Sequence, residues 1–250
     1  MCKKIGTKQN CMIGLFGIPR SGKNYTIDDF LRIAEEHGCH FIHFSPMDEI
    51  RARLDGRRLR DMSLEERIDL VKEVRHELDI LAKHANVIVD EHYCYPSEIG
   101  GAPMENGYYD EKLPHDIIDI DDIEYEVVMP RFAVNKYDLV ALMDIPPETI
   151  LQRMRTSQGV KQNLLISLDE IADWEYAEYA LLLMEYGDEM AIIDDPIGSG
   201  EMLWDCFSDD EDDEDGDVSD KGGSDDDWTW FFEGTPDPSQ TKSNNFNKVI

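Results

Sequence analysis

Apolar runs alternate with helically spaced apolar residues along the first two hundred positions of the chain. Five runs predict buried strands, because strands covered on both faces lack polar alternation; they lie at residues 11–16, 39–44, 86–90, 137–144 and 190–194. Helical spacing between them predicts helices over about residues 24–37, 47–54, 63–83, 146–155 and 167–186. This alternation predicts an α/β fold with a mostly parallel sheet between two layers of helices.

Two segments depart from this pattern. Residues 93–136 are rich in Tyr, Gly and Pro, and they predict an irregular insert able to close over a substrate. Residues 201–250 contain 16 acids and 3 bases, a net charge of −13. Such a segment buries too little apolar surface to offset its ordering entropy. We therefore expect a folded domain over 1–200, with its insert at about 93–136, and a disordered acidic tail over 201–250.

Residues 17–24 read Gly-Ile-Pro-Arg-Ser-Gly-Lys-Asn between the first predicted strand and the first predicted helix. Strand, glycine loop, Lys and helix in this order predict a Walker A phosphate-binding loop, and hence a P-loop three-layer fold. Backbone N–H groups and the helix N-terminus would surround the phosphates of ATP, and Lys23 would reach the β- and γ-phosphates. The predicted nucleotide-binding residues are Gly17, Ile18, Pro19, Arg20, Ser21, Gly22, Lys23, Asn24 and Tyr25.

Asn24 stands where such loops carry a Ser or Thr whose hydroxyl meets Mg²⁺. An amide oxygen is an acceptable ligand for Mg²⁺ but an uncharged one. The predicted metal-side residues are therefore Asn24 and Asp90, with weakened metal binding as the alternative. Asp90 ends a predicted strand, and ligands bind at the carboxyl ends of parallel strands. The alternative role for Asp90 is structural, as an acceptor for the loop's N–H groups.

Two further features lie near this predicted site. His92 is a candidate substrate-binding residue, and Glu91 would serve as a base only if the acceptor were a hydroxyl group. Five arginines fall within residues 51–60 of an otherwise acidic chain. They predict either a solvated helix face paired with acids or an anion-binding patch, with Arg57 as its substrate-binding candidate.

The chain resembles the archaeal-type adenylate kinases, a branch of the P-loop nucleoside monophosphate kinases, over about residues 11–194. Besides the loop, the matching segments read Asn86-Val-Ile-Val-Asp90-x-His92, Tyr137-Asp138-Leu139-Val140 and Ile145-Pro-Pro-Glu148-x-Ile150-Leu151-x-Arg153-Met-Arg155. The resemblance implies transfer of the ATP γ-phosphoryl group to a nucleoside monophosphate, with Mg²⁺ and a closing lid. It implies catalytic roles for Lys23, Arg153 and Arg155, although cations near a helix C-terminus are also favoured for structural reasons.

The departures from that family fall on the metal and on the transition state. The family's lid arginines correspond here to residues 156–163, which contain one Lys and no Arg. Losing such cations costs several kcal/mol of transition-state stabilisation, roughly 10²–10³-fold in rate. Two alternatives therefore remain: a non-catalytic or weakly hydrolytic nucleotide-binding protein that signals to a partner, and a kinase acting on a small-molecule hydroxyl.

The net charge of −31 makes nucleic acid an unlikely partner, because the two would repel. The acidic tail is either a solubilising segment, a segment that binds a protein partner through the aromatic residues at 228 and 230–232, or a mimic of nucleic-acid charge. No apolar run approaches the ~20 residues that span a membrane, and no signal-peptide pattern opens the chain. The five cysteines form no CxxC pair, which favours reduced thiols. We therefore expect a cytoplasmic protein with no membrane partner.

Overall fold

The computed structural model describes residues 10–57, 62–96, 137–156, 166–195 and 197–208, with the backbone of four short strands between residues 98 and 127. The strands are β1 Met12–Phe16, β2 Phe41–Phe44, β3 Asn86–Asp90, β4 Cys94–Pro96, β5 Glu98–Ile99, β6 Ala102–Pro103, β7 Ile117–Ile120, β8 Ile123–Val127, β9 Leu139–Met143 and β10 Ala191–Ile193. The helices are α1 Lys23–Glu36, α2 Pro46–Arg53, α3 Leu64–Ala82, α4 Pro147–Thr156, α5 Leu168–Tyr186 and α6 Ser199–Ser208.

Five strands form one parallel sheet in the order β10-β9-β1-β3-β2. The predicted α/β fold with a parallel sheet is confirmed. The chain leaves β1 toward β2 on one side, and it passes from β3 across β1 to β9 on the other. The order in which the chain adds strands therefore reverses beside β1. At such a switch point, open α/β sheets bind ligands at the carboxyl ends of their strands.

Alternate residues of the strands face two separate layers of helices, as the period of two requires. Met12, Val87 and Val89 pack with α2 and α3 in one buried cluster. Ile13 and Leu15, from the opposite face, pack with α1, α5 and α6 in the other. The central strand is covered on both sides, which explains its unbroken apolar sequence.

The insert is more regular than the sequence suggested. β4, β8 and β7 form a three-stranded antiparallel sheet, and β5 pairs with β6. The expectation of a wholly irregular insert is therefore wrong at these strands. Antiparallel partners satisfy the backbone groups of short segments that carry weak strand patterns of their own. The remainder of the insert lies outside the described residues.

Helix α6 extends the folded domain beyond the boundary expected at residue 200. Leu203 and Phe207 are buried, and the Phe207 ring lies 5.3 Å from that of Phe41. Gly200 permits close packing on α1, because a Cβ there would lie 2.6 Å from the backbone nitrogen of Phe30. The sequence does not predict this helix, because its few apolar residues stand directly before the acidic run at 209–215. The rest of the predicted tail, residues 209–250, lies outside the described residues.

Two observations bear on where the chain resides. None of the helices in the described part is long and apolar enough to cross a membrane. Cys39 is disulfide-bonded, whereas Cys11, Cys94 and Cys206 are free thiols. The expectation of reduced cysteines is therefore wrong at Cys39, and a cytoplasmic location stays a prediction.

Truncation tests the position of the domain boundary. A chain ending at residue 208 should unfold at the same urea concentration as the full chain. A chain ending at residue 198 should lose at least about 3 kcal/mol of unfolding free energy, because it loses two fully buried side chains, Leu203 and Phe207. Far-UV circular dichroism during urea titration measures both. Equal midpoints for the two truncations would place the boundary back at residue 200.

Candidate functional site: a phosphate-binding loop at the carboxyl edge of the sheet

The segment between β1 and α1 turns tightly on its own backbone. The N–H of Ser21 donates to the carbonyl of Ile18 at 3.2 Å. Gly17 and Gly22 adopt φ values of 146° and 118°, and a Cβ at Gly17 would lie 2.9 Å from Met143 Cβ and Ser21 Oγ. Arg20 adopts a φ of 74°, which costs free energy for a residue with a side chain. Sequence and backbone geometry thus agree on a glycine-dependent loop.

Lys23 turns its ammonium group back into this loop. Its side chain is almost fully buried, and Nζ donates to the carbonyl oxygens of Gly17 and, at 3.5 Å, Ile18. Nζ also lies 3.5 Å from Asp90 Oδ1. Burial lowers the pKa of Lys23, while the charges of Asp90, Glu178 and Glu91 oppose that shift. An anion entering the loop would meet this ammonium directly.

Asp90 and His92 reach Lys23 from the end of β3. Register pairs Leu15 with Asp90, so the end of β3 lies beside the start of the loop. His92 Nε2 lies 3.4 Å from Lys23 Nζ, and the His92 ring lies 5.1 Å from that of Tyr95. Burial, then the charges of Lys23 and Arg51, lower the pKa of His92 well below its ordinary value. A neutral imidazole therefore lies beside the loop. Substrate binding by His92 stays a prediction.

The two arginines with predicted catalytic roles, Arg153 and Arg155, lie in different places. Arg153 of α4 lies over the loop and donates to the carbonyl oxygens of Arg20, at 3.1 Å, and Ser21. A Cβ at Gly22 would lie 3.0 Å from its guanidinium. Arg155 is exposed and lines an open groove of about 420 Å³ with Leu151 and Leu168. The structure thus brings Arg153, and not Arg155, onto the loop.

The N-terminus of α1 is open to an anion. Its N-cap is Gly22, which supplies no side-chain cap, and its first turn contains no acid. The other five α-helices of the described part all carry an acid in their first turn. Uncapped N–H groups and the positive end of the helix dipole both favour a phosphate there. Asn24 and Tyr25 are exposed at this turn.

The donor set is a sparse but suitable one for Mg²⁺ held together with a nucleotide. Among the described residues, Asp90 Oδ1 is buried, accepts no hydrogen bond and lies 3.5 Å from the Lys23 ammonium. Asn24 adds an exposed amide oxygen. The described residues contain no cluster of three metal-binding side chains. That is compatible with Mg²⁺, which keeps several waters and takes its remaining ligands from phosphates.

Glu91 is held in a buried network that the sequence did not reveal. Arg75 of α3 donates to both carboxylate oxygens of Glu91, at 3.0 Å to Oε2, and Tyr137 donates its hydroxyl to Oε1. Arg75 and Glu91 are 6% and 3% exposed. Burial alone would lower the pKa of Arg75, but Glu91 raises it. Arg75 occupies an ordinary helical position, so only its contacts identify it.

Glu178 of α5 fixes the chain just after His92. Its carboxylate accepts the N–H groups of Tyr93 at 2.8 Å and Cys94 at 3.0 Å. Trp174, one turn earlier, donates its indole N–H to the carbonyl of Cys94 at 3.0 Å. Burial raises the pKa of Glu178, and the two N–H donors oppose that shift. α5 thereby sets the path of the chain as it enters the insert.

The three described arginines of the arginine-rich stretch lie beside acids, and Arg58 and Arg60 lie outside the described residues. Arg51 bonds Asp48 at 2.9 Å, and Arg53 bonds Glu49 at 2.7 Å and also Glu77. Arg57 is exposed, 3.8 Å from Glu66. Of these three, Arg51 acts on the site, because its charge adds to burial in lowering the pKa of His92. Substrate binding by Arg57 stays a prediction.

A second group of acids lies beyond β9. Burial, then Asp144 and Glu148, raise the pKa of Glu175 to about 8, although the N–H of Ile145 opposes the shift. Its Oε1 is buried without a hydrogen-bond partner. This carboxyl group is therefore protonated in the fold at neutral pH, where an unfolded chain would have released the proton.

No model of a known protein family and no curated protein matches this chain. Two kinases are among the solved structures that resemble it. Shikimate kinase from Bacteroides thetaiotaomicron is 18% identical, with a TM-score of 0.43. Deoxyadenosine kinase from M. mycoides, solved with dCMP and dCDP, is 13% identical, with a TM-score of 0.45. Both matches cover 78% of this chain and 97% of the other. At these scores the fold rests on the sheet topology itself, and the resemblance to archaeal-type adenylate kinases stays a prediction.

The Arg75–Glu91–Tyr137 network can be tested by removing one partner at a time. Arg75→Met should lower the unfolding free energy by about 3–5 kcal/mol, because it leaves the Glu91 carboxylate buried and unpaired. Tyr137→Phe should cost less, about 1–2 kcal/mol, since it removes the two hydrogen bonds of the hydroxyl, to Glu91 and from Arg75, and leaves the ion pair in place. Urea titration gives both values. Lys72→Met, at an exposed position of the same helix, is the control, and an Arg75→Met cost no larger than that of the control would contradict the network.

Glu175 gives a pH-dependent prediction. Its folded pKa is raised, so its contribution to stability is lost as pH rises from about 4.5 toward 8. Glu175→Gln should therefore be more stable than the wild type at pH 9 and nearly equal to it at pH 4.5. Urea titrations at the two pH values measure the difference. Glu189→Gln, an exposed control, should show no such dependence; a parallel gain there would assign the effect to net charge.

Proposed function

We propose that the chain is an ATP-dependent phosphotransferase that moves the γ-phosphoryl group of ATP to a nucleoside monophosphate. The observation that carries the proposal is the buried ammonium of Lys23, turned into a glycine loop at the open N-terminus of α1, 3.5 Å from Asp90. A buried lysine aimed into a ring of backbone groups is suited to a polyphosphate. The switch point of the sheet beside β1 supports the same position.

Each neighbouring residue has a role in this proposal. Lys23 leaves the carbonyls of Gly17 and Ile18 and binds the β- and γ-phosphates. Arg153, already at the rim of the loop, turns from the carbonyls of Arg20 and Ser21 to the transferring group. Asp90 and Asn24 lie on the metal side. Mg²⁺, when bound, neutralises charge on the phosphate oxygens.

A phosphate acceptor is favoured over a hydroxyl acceptor. A hydroxyl needs a base to remove its proton, whereas a phosphate is already ionised. Glu91 is 3% exposed and both of its oxygens are engaged by Arg75 and Tyr137, so this carboxylate is not presented to a substrate as a base. His92, whose pKa is strongly lowered, is a weak base. On the acceptor side we assign His92 and Arg57, and we add Arg51, because its charge acts on His92.

Nucleotide binding without efficient transfer is the second candidate. It is favoured by Asn24, which is exposed and uncharged where a hydroxyl would meet the metal, and by the absence of Arg from residues 156–163. The two candidates differ in rate and not in nucleotide affinity, so one set of measurements separates them.

The test incubates purified full-length protein with Mg-ATP and panels of nucleoside monophosphates and nucleosides, and resolves the products chromatographically. We expect ADP together with a nucleoside diphosphate. Lys23→Ala should slow transfer about 10²–10³-fold, whereas Lys72→Ala, on the exposed face of α3, should not. Asn24→Thr should raise the rate at low Mg²⁺.

Three results would contradict the proposal. Phosphorylated nucleosides in place of diphosphates would assign a hydroxyl acceptor. ATP binding by calorimetry without any transfer, in the wild type and in Asn24→Thr alike, would leave the second candidate. Unchanged ATP affinity in Lys23→Ala would show that residues 17–24 are not a phosphate-binding loop.

A further inference from the structure

Helix α5 carries apolar residues on two opposite faces. Ile171, Trp174, Ala177, Leu181 and Leu182 are buried against the sheet. On the other side, four large apolar residues are exposed: Tyr176 by 56%, Tyr179 by 40%, Leu183 by 37% and Met184 by 81%. A helix that is apolar all round is normally covered all round. The residues that the structure describes leave much of this outer apolar face exposed.

The exposed residues form one continuous stripe. Tyr176, Tyr179, Leu183 and Met184 follow the three- and four-residue spacing that places side chains on one side of a helix. Ala180, half-buried between them, leaves a shallow depression in the middle of the stripe. The stripe is about 12 Å long at the rise of an α-helix, which matches about two turns of a second helix. Exposed patches of this kind mark interaction sites.

The charges on α5 itself are all of one sign, although the exposed Arg155 of α4 lines a groove with Leu168 at the start of the helix. α5 contains six acids and no Lys or Arg. Asp169 and Asp173 precede the stripe, and the exposed Glu189 follows it in the turn after the helix. A partner that covers the apolar residues must therefore also place its own charges beside carboxylates at both ends. Electrostatic complementarity selects cations there.

A second copy of the chain is a poor occupant. Antiparallel pairing of two α5 helices about a two-fold axis would bring Asp169 and Asp173 of one copy next to the acidic end of the other. Like charges placed together at an interface cost free energy, and each chain carries a net charge of −31. The same repulsion disfavours an acidic partner, whereas a basic partner would be attracted to these carboxylates.

We propose that the outer face of α5 docks a cationic amphipathic helix of another protein. The partner helix lays apolar side chains over Tyr176, Tyr179, Leu183 and Met184, in the manner of helix-in-groove recognition. Its Lys or Arg residues lie beside Asp169, Asp173 and Glu189. The opposite face of α5 holds Glu178 and Trp174, which fix residues 93 and 94 beside His92. Docking thus occurs on the same helix that positions the edge of the phosphate-binding site.

The test uses the full-length protein and a synthetic peptide of about 18 residues, with Leu at helical spacing and Lys elsewhere. Fluorescence anisotropy at about 0.15 M salt measures binding. A peptide of the same composition with its Leu positions scrambled controls for attraction by net charge alone. We expect the facial peptide to bind with a Kd of about 10 µM or tighter, and the scrambled peptide at least about tenfold more weakly.

Two double variants locate the binding site. Tyr176→Ser with Met184→Ser should weaken binding of the facial peptide about tenfold or more, since it removes the two most exposed side chains of the stripe. Ile42→Ser with Ile80→Ser removes two exposed apolar residues from other elements and should leave binding unchanged. Circular dichroism melting checks that both variants fold, and ATP affinity checks that the loop is intact.

Three outcomes would overturn the proposal. Equal binding by the α5 variant and the wild type would show that the peptide is held elsewhere on the acidic chain. Equal affinity for the facial and scrambled peptides would show attraction by charge without a docking face. A wild-type dimer in light scattering that dissociates in the α5 variant would assign the face to a second copy of the chain. All three readouts are independent of phosphoryl transfer, so they stand whether or not the proposed activity is found.

Discussion

The site depends on keeping the ammonium group of Lys23 inside the protein. Removing a charge from water is costly unless counter-charges and hydrogen bonds replace the solvent. Here the carbonyls of Gly17 and Ile18 accept from Nζ, and Asp90 lies 3.5 Å away. This arrangement requires β3 to lie beside β1 in the same register, because Asp90 would otherwise be too far from the loop. The burial of the Lys23 ammonium thus depends on the strand order of the sheet.

The acids around this edge differ in what they do, although their side chains are chemically alike. Glu91 accepts hydrogen bonds from Arg75 and Tyr137, and Glu178 accepts them from two backbone N–H groups. Asp90 alone among them keeps a buried oxygen without a hydrogen-bond donor. The difference is one of environment, since each partner satisfies lone pairs that would otherwise be open to a metal or a proton. An incoming phosphate would therefore meet Lys23, Arg153 and Asp90 rather than a general acidic surface.

The two long helices that cover the site have separate tasks. α3 brings Arg75 under the end of β3, and α5 brings Glu178 to the chain that follows it. Because both contacts are buried and charged, displacement of either helix would expose an unpaired charge, which makes the edge of the sheet resistant to small shifts. α5 has an exposed apolar face as well, so a protein bound there would act on a helix already tied to the site.

The sequence by itself determined the elements whose signals are local. Unbroken apolar runs and the spacing of Gly17, Gly22 and Lys23 depend on neighbouring residues, and they predicted the parallel sheet and the loop. The tertiary structure decided the rest, because those features depend on residues far apart in the chain. Arg75 and Tyr137 meet Glu91 across 16 and 46 positions. Arg153 reaches the loop across more than 130 positions, and α6 packs on Phe30 of α1 and Phe41 of β2. Pairings of that kind have no local pattern, since burial and charge compensation arise only when the sheet has brought the partners together.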